Sequence, residues 1–321
     1  MRALRVLVWH VHGSWLTAFV HGGEEYLLPV VPGRGPEGRG RAQTWDWPSR
    51  AREVTPEELA QEPIDVVLLQ RPDELELLER WTGLRAGTDV PAVYVEHNTP
   101  RGPAVETRHP LADREDIPLV HVTAFNALAW DNGGAPVRVI EHGVLDPGAR
   151  YTGELDRIGA VVNEPVRRHR VAGTDILLTL SRRLPMSVFG IGVDPLAREN
   201  PGLHGHLHNL DQDAMHTALA RHRAYLHPYR WTSLGLSLIE AMTLGMPVLA
   251  LATTAAPEAV PAEAGVVSSD PDVLAEAAQR WLSDPDEARE RGAAARRHAL
   301  NRYGLDRFVT EWHQQLEEVV R

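Results

Sequence analysis

Residues 227–257 read HPYRWTSLGLSLIEAMTLGMPVLALATTAAP, and this stretch indicates the fold class. Its first residues close an apolar strand, and a polar turn follows in which Thr232 or Ser233 is expected to cap a helix over 234–244. Gly245 ends that helix, because glycine readily adopts the left-handed conformation found after helix C-termini. Another apolar run comes directly afterwards. The order strand, turn, helix and strand is typical of doubly wound α/β sheets.

The start of this predicted helix has the features of an anion site. Its first backbone N–H groups lack partners within the helix, and the helix dipole adds positive potential there. Glycine in the turn lets a ligand approach the backbone closely. We therefore expect a diphosphate to bind at Thr232, Ser233, Leu234, Gly235 and Leu236. Glu240 has uncharged neighbours at three- and four-residue spacing, which favours a ligand-facing carboxylate over a solvated one.

Short apolar runs alternate with helical patterns along the whole chain. The run 65–69 is apolar after its first residue, as is typical of strands buried on both faces of a parallel sheet. Helical periodicity covers, among other stretches, 73–81, 212–223 and 271–282. This alternation predicts an α/β protein with two Rossmann-like doubly wound domains. We expect the first domain to span 1–150 and the second to span 151–304.

Composition excludes several kinds of chemistry. The 321 residues include no cysteine and no lysine, so all 33 basic residues are arginine. Disulfides, thiolate nucleophiles, cysteine zinc sites, Schiff bases and a P-loop lysine are therefore impossible. The net charge of −11 argues against binding to nucleic acid backbones. No apolar run approaches the roughly 18 residues of a membrane span. The apolar N-terminus predicts a buried first strand rather than a signal peptide. The absence of cysteine favours a cytoplasmic location.

The segment 227–257 resembles the nucleotide-sugar site of the retaining GT-B glycosyltransferases of family 4. Their pattern is roughly H/P-S-x-x-E-G-F-G-L-x-x-L-E-A-M-A-x-G-x-P-V. The chain matches it at Pro228, Gly235, Leu236, Glu240, Ala241, Met242, Gly245, Pro247 and Val248. The resemblance implies two Rossmann-like domains facing each other across a cleft. It also implies sugar transfer from a nucleotide-diphosphate sugar to an acceptor with retention of configuration, with Glu240 holding the ribose hydroxyls.

The chain departs from this pattern at the donor sugar and at the diphosphate. Thr232 stands where the family has its first Glu, and Ser233 stands where it has Gly. A hydroxyl can bond a sugar or a phosphate but supplies no charge. Residues 163–178 resemble the region that provides an Arg and a Lys for the diphosphate. Since no lysine is present, Arg168 and Arg170 are the predicted substitutes, because a guanidinium binds phosphate oxygens in a bidentate way. These arginines could instead line a solvated face.

The N-terminal half resembles the acceptor side of the same family. Gly13 follows the first strand, where the family has a glycine-bearing turn beside the cleft. The nearby His10 and His12 could be site residues or structural ones. His97 directly follows an apolar strand, and the resemblance implies that it lines the active site. The C-terminal helix over 305–321 is implied to pack back onto the first domain.

Two other stretches are informative. Pro32–Arg50 is rich in Gly, Arg and Pro and contains Trp45 and Trp47. It reads as a long loop that either docks its tryptophans on the surface or contacts substrate. Residues 140–144, IEHGV, resemble the family's I-P-H-G-V segment, and we interpret them as a structural hinge.

We expect neither a metal nor a cofactor beyond the nucleotide-diphosphate sugar, which is the donor substrate. Asp211 and Asp213 have the spacing of a metal motif, but they open a predicted helix. His204, His206 and His208 alternate, and we interpret them as residues of a loop rather than a zinc site. The expected partners are the donor and a small-molecule or glycan acceptor.

Cleavage of the bond between the anomeric carbon and phosphate leaves negative charge on the diphosphate. The N–H groups near 233–236, with Arg168 or Arg170, would stabilise that charge. The resemblance implies that the diphosphate itself takes the acceptor proton, so that no protein base is required. Two alternatives stay open. A nucleotide-sugar 2-epimerase would turn over without an acceptor, and a non-catalytic nucleotide-sugar-binding protein would explain the missing Glu at Thr232.

Overall fold

The computed structural model describes residues 2–321, which form two compact units. The first unit comprises the residues up to Val144 together with Leu305–Arg321. The second unit comprises Leu145–Gly304. The chain therefore leaves the first unit after Val144 and returns to it at Leu305. No helix within residues 2–321 is both long enough and apolar enough to cross a bilayer.

The first unit is built on a parallel sheet in the order β3-β2-β1-β4-β5-β6-β7. Its strands are β1 (Arg5–Val8), β2 (Glu25–Pro29), β3 (Ala51–Val54), β4 (Val66–Leu69), β5 (Ala92–Glu96), β6 (Leu119–His121) and β7 (Val137–Val139). Its helices are α1 (Gly13–Phe19), α2 (Pro56–Leu59), α3 (Asp73–Thr82), α4 (Ala124–Ala129) and the C-terminal helix (Leu305–Val320). The strands are short and largely apolar, so the sheet is buried along its centre.

The second unit is built on a parallel sheet in the order β10-β9-β8-β11-β12-β13. Its strands are β8 (Leu155–Val161), β9 (Met186–Phe189), β10 (Leu207–His208), β11 (His222–His227), β12 (Val248–Leu251) and β13 (Gly265–Ser268). Its helices are α5 (Pro165–Ala172), α6 (Thr174–Ser181), α7 (Leu196–Glu199), α8 (Gln212–Leu219), α9 (Leu236–Leu244), α10 (Ala256–Ala259), α11 (Pro271–Ser283) and α12 (Pro285–Tyr303). Asp side chains cap α8, α11 and α12 by accepting backbone N–H groups.

Both sheets have the doubly wound order, because the first strand of each unit lies between its second and fourth strands. The strand order therefore reverses between β1 and β4 in the first unit, and between β8 and β11 in the second. Ligands of open α/β sheets bind beyond the carboxyl ends of the strands at such a switch point. The predicted class, α/β with two Rossmann-like doubly wound domains, is confirmed. The fold also places each candidate site beyond the carboxyl ends of the strands of its own sheet.

The C-terminal helix packs on the first unit through large side chains. Phe308 and Trp312 both meet Trp15 of α1 edge to face, at ring-centroid distances of 5.9 and 5.5 Å. Gly143 explains the segment that we interpreted as a hinge. A Cβ at this position would lie 2.4 Å from the Phe308 Cβ, so only glycine admits the helix so closely.

The structure corrects three details of the secondary-structure prediction. The helix expected over 212–223 ends at Leu219, and β11 begins at His222. The edge strand β3 was missed, because its two middle residues are polar and it follows a long loop. The two-residue strand β10 was missed because it is too short to produce a pattern.

Candidate active site

The start of α9 lies at the switch point of the second unit, immediately after β11. Gly235 is the N-cap of α9, so the predicted helix start at Leu234 and the predicted capping by Thr232 or Ser233 are wrong. The reason is tertiary packing. A Cβ at Gly235 would lie 2.5 Å from Cε1 of His227, so the imidazole selects glycine at the cap position. No cap side chain accepts from the first-turn N–H groups of α9.

The other residues of this turn are placed by burial and by backbone bonds. Ser233 and Leu234 are buried, whereas Thr232 and Leu236 are partly exposed. The Ser233 carbonyl accepts from the backbone N–H of Ala255 at 3.3 Å, which ties the turn to the loop after β12. The partly exposed Thr232 and Leu236 are thus the members of the predicted diphosphate turn whose side chains reach the surface.

His227 at the end of β11 is buried and neutral. Burial lowers its pKa to about 3. Its Nδ1 lies 3.2 Å from the Tyr225 hydroxyl, which donates to the Ser237 Oγ at 2.9 Å. The ring also packs against the Tyr229 ring, tilted by 32°, with a centroid distance of 4.8 Å. His227 therefore shapes the turn and contributes no positive charge at neutral pH.

Glu240 lies one turn into α9 and is mostly buried, with 13% of its side chain exposed. Its Oε2 is 3.6 Å from Nε2 of His216 on α8, and that nitrogen lies 2.9 Å from Nε2 of Gln212. Since α8 and α9 each follow a strand of one parallel sheet, both begin at the carboxyl edge. With little exposure and an imidazole at 3.6 Å, the Glu240 carboxylate is not an ordinary solvated side chain.

Arg168 and Arg170 lie on α5, which follows β8, but they have different surroundings. The Arg168 guanidinium carbon lies 5.3 Å from the centre of the Tyr229 ring. Among the residues that the structure describes, no carboxylate forms an ion pair with Arg168. Arg170 is 74% exposed and pairs with Asp175 at 3.2 Å. Arg230 also binds both oxygens of Asp175. The charge of Arg168 is thus less compensated than that of Arg170.

The loop after α5 approaches the β11 turn closely. Gly173 has a φ of 69°, and a Cβ there would lie only 1.7 Å from the Pro228 carbonyl oxygen. The backbone N–H groups of Arg230 and Trp231 both donate to the Val171 carbonyl, at 3.0 and 3.2 Å. These contacts fix the two loops of the switch point against each other.

The switch point of the first unit contains imidazole and amide groups. His97 follows β5 and is buried, and its Nε2 lies 3.0 Å from the Gln70 Oε1. The Gln70 amide nitrogen donates to the Trp9 carbonyl at 2.7 Å, so its oxygen faces His97 as an acceptor. Burial is the main cause that holds the pKa of His97 well below its ordinary value. Gln70 thus joins the ends of β1, β4 and β5.

His12 lies in front of His97, with their ring centroids 4.2 Å apart. Burial lowers the pKa of His12 to about 4, against the opposing influence of Glu96. His10 turns elsewhere, because its Nδ1 lies 3.0 Å from the Gly40 carbonyl oxygen. Gly13 begins α1, and a Cβ there would touch the Trp45 ring at 3.6 Å. The first unit therefore offers neutral imidazole groups at its switch point.

The long loop over Pro32–Arg50 is docked and ordered by arginine. The guanidinium of Arg41 donates to three backbone carbonyls, those of Trp47, Pro48 and Ala51. Trp47 is buried and donates from Nε1 to the Thr17 Oγ1 at 2.9 Å. Trp45 is only partly buried, beside Gly13. One tryptophan thus anchors the loop, and the other covers the turn after β1.

Sequence reasoning missed two residues that the structure places at the switch points, Gln70 and Tyr229. Gln70 directly follows β4, and Tyr229 lies two residues after β11. The strand order of each sheet reverses beside these two strands. Their position just after these strands was the signal in the sequence that could have identified them as site residues. The Asp211-x-Asp213 motif opens α8, where Asp211 accepts from the backbone N–H of Ala214 at 2.9 Å. Within residues 2–321, no three His, Asp or Glu side chains are arranged to hold a metal ion.

Comparison with known proteins finds a family match within the second unit and solved structures with a similar fold. Residues 196–298 match the model of the family described as glycosyl transferases group 1. Sucrose-phosphate synthase from Thermosynechococcus elongatus has a TM-score of 0.69 at 14% identity, with 98% of each chain covered. HepE from Anabaena in complex with UDP has a TM-score of 0.71 at 14% identity, covering 98% of this chain and 100% of that chain.

A glycosyltransferase from Rickettsia africae is also similar, with a TM-score of 0.68 at 14% identity and 100% of each chain covered. No curated protein matches significantly by sequence. The matched residues 196–298 lie wholly within the second unit and include α8, β11 and α9. The second unit thus contains a region similar to the glycosyl transferases group 1, and the chain as a whole shares the fold of these solved structures.

Proposed function

We propose that the chain transfers a sugar from a nucleoside-diphosphate sugar to a small-molecule or glycan acceptor with retention of configuration, and without a metal. The donor binds at the switch point of the second unit, and the acceptor is held by the first. Arg168 carries the proposal. It is an arginine without a carboxylate ion pair, in a unit whose helix α9 begins at a glycine cap. Uncompensated positive charge and helix-start N–H groups suit a diphosphate.

Each candidate residue receives a role in this proposal. The α9 N–H groups, with Gly235 allowing close approach, and Arg168 stabilise the diphosphate as the bond to the anomeric carbon breaks. Thr232 supplies a hydroxyl to the donor in place of a carboxylate. Glu240 accepts hydrogen bonds from the ribose hydroxyls. The acceptor hydroxyl loses its proton to the departing phosphate, so the neutral His12 and His97 bind and orient the acceptor rather than ionise it.

UDP is the first ligand to test, because HepE, which shares the fold, is described in complex with UDP and with UDP-glucose. Titration calorimetry of the folded protein with UDP, GDP and ADP should show binding of at least one diphosphate. At a ligand concentration of about 100 times Kd, binding stabilises the folded protein by about 2.7 kcal/mol. Failure of all three to bind would falsify the donor site.

The Arg168→Ala variant should weaken diphosphate binding by about 10- to 100-fold, as expected for a charge-assisted contact to phosphate. Arg183→Ala is the matched control. Arg183 lies before the amino end of β9, at the opposite edge of the same sheet, and pairs with Asp272. Equal effects of the two substitutions would point to general electrostatics and not to a defined site.

A non-catalytic nucleotide-sugar-binding protein is the second candidate, and Thr232 is the observation that favours it. Without the family's carboxylate, the donor could bind and yet not react. Incubation with UDP-glucose and a panel of sugar and polyol acceptors separates the two. Transfer of radiolabelled sugar supports the enzyme. Tight UDP-glucose binding with neither transfer nor hydrolysis supports the binding protein.

A further inference from the structure

Tyr229 is a buried residue of the second switch point, and three strand ends hold it. It follows β11, and its ring packs against the buried His227 ring, with the two centroids 4.8 Å apart. Its carbonyl accepts from the Thr253 Oγ1 at 2.8 Å, in the loop after β12. Burial raises the pKa of its hydroxyl, and the backbone of Asn163, two residues after β8, acts in the opposite direction. Only 7% of the residue is exposed, so its ring has a fixed orientation.

This fixed ring supports Arg168. The guanidinium lies over the ring face, 5.3 Å from its centre, and its charge opposes the rise in the pKa of the Tyr229 hydroxyl that burial causes. An arginine without a carboxylate partner would otherwise sample many rotamers. A cation over an aromatic face gains about 0.5–1 kcal/mol at exposed sites, and more when desolvated. The aromatic contact can therefore hold the guanidinium in place without neutralising its charge.

We propose that Tyr229 is the positioning residue for the diphosphate-binding arginine, Arg168. It acts through the guanidinium and does not contact the sugar itself. The pattern that this segment resembles has Ser at the position of Tyr229, and a serine has no ring on which a guanidinium can lie. The arrangement replaces an ion pair with an aromatic support, so the full positive charge of Arg168 stays available to two phosphate groups. This inference rests on the proposed donor site.

A double-mutant cycle on UDP binding tests the inference. Tyr229→Phe keeps the ring and removes the hydroxyl, and we expect UDP affinity to fall about 2- to 5-fold. Tyr229→Leu removes the ring and should lower UDP affinity about 10-fold. In the Arg168→Ala background, neither substitution should lower it further, because the group that Tyr229 positions is gone. Uridine, which lacks phosphates, should bind all variants with equal affinity.

Tyr151→Phe is the matched control, because Tyr151 lies in the same unit and its hydroxyl donates to the Arg223 carbonyl at 2.7 Å, among structural contacts. It should leave UDP affinity unchanged. Melting temperatures measured for every variant identify any that fails to fold, and Tyr229→Phe keeps the test decisive if Tyr229→Leu does fail.

The possible results distinguish a failure of this inference from a failure of the proposed function. If wild type binds no nucleoside diphosphate, both are overturned. If Arg168→Ala weakens UDP binding but the Tyr229 substitutions do not, only the inference is overturned. It is also overturned if the Tyr229 substitutions weaken binding equally with and without Arg168, since Tyr229 would then act by supporting the turn. Loss of affinity that disappears in the Arg168→Ala background supports it.

Discussion

The two switch points share a strand order but contain different chemistry. In the first unit, Gln70 links the ends of β1, β4 and β5 through His97 and Trp9, and the imidazoles there are neutral. In the second unit, Arg168 lies on the helix that follows β8, and α9 begins at a glycine cap after β11. The same topology thus creates the same kind of location twice. The residues after the strands then decide whether that location suits a neutral hydroxyl compound or an anion.

The largest effect should come from the close approach of loops in the second switch point. Gly173→Ala places a Cβ against the Pro228 carbonyl at a positive φ. We expect the free energy of unfolding to fall by about 3 kcal/mol or more, from left-handed strain plus overpacking. Gly83→Ala is the matched control in the first unit, with a φ of 75° and nothing near its Cβ position, and should cost about 1 kcal/mol.

Urea unfolding measures both changes, and hydrogen exchange assigns each to its unit. If Gly83→Ala proved as destabilising as Gly173→Ala, backbone strain alone would account for both. The close contact would then not distinguish the second switch point.

Lowering the pH should destabilise the second unit through His227. Its folded pKa of about 3 lies below the ordinary 6.5, so its contribution is present above pH 6.5 and is lost as pH falls toward 3. At pH 5 the loss is about 2 kcal/mol. His227→Asn should therefore show a shallower fall in unfolding free energy between pH 7.5 and 5 than wild type. His222, also held neutral by burial, leaves part of the slope in place. Parallel slopes for the two proteins would contradict this.

Glu74 should give the first unit a pH dependence of the opposite sign. This carboxyl is buried at the start of α3, where it accepts from the backbone N–H of Gln70 at 2.6 Å. Burial raises its pKa to about 7, against the influence of Arg71. A raised folded pKa contributes stability below about pH 4.5 that is lost as pH rises through 7. Glu74→Gln should remove about 2.5 kcal/mol of that change between pH 5 and 8.

Hydrogen exchange of peptides from the first unit, measured at pH 5 and at pH 8, reports the change in stability that Glu74 causes. The comparison of variant with wild type is needed because His12 in the same unit titrates in the opposing direction. A wild-type protein that behaves like Glu74→Gln across this range would show that the carboxyl stays charged when folded.

The smallest effects should come from single buried hydroxyl and indole bonds, and should be equal in the two units. Trp47→Phe removes the bond from Nε1 to the Thr17 Oγ1 in the first unit. Tyr225→Phe removes the bond to the Ser237 Oγ in the second. Each should lower the free energy of unfolding by about 1 kcal/mol. A much larger cost for Trp47→Phe would mean that the loop over Pro32–Arg50 is a core element of the first unit.

The sequence was sufficient for the fold because buried parallel strands have an unambiguous pattern, as in β4 and β12. It was also sufficient to indicate the β11–α9 turn, where Gly235 and Glu240 keep motif spacing. It could not distinguish Arg168 from Arg170, because the difference depends on Asp175, which reaches Arg170 only after α5 and α6 pack together. It misplaced the start of α9 because the cap is selected by the His227 ring, a contact that no local propensity contains.

The path of the chain between the units has a consequence for its synthesis. Leu305–Arg321 belongs to the first unit. Its Phe308 packs against Gly143 and Trp15, and its Trp312 packs against Trp15. The second unit is thus an insertion that is complete before the first has all its parts. During synthesis on the ribosome, the apolar surface of the first unit that the C-terminal helix covers stays exposed until the chain extends past Trp312. A nonsense mutation near residue 305 would therefore damage the half of the protein that was translated first.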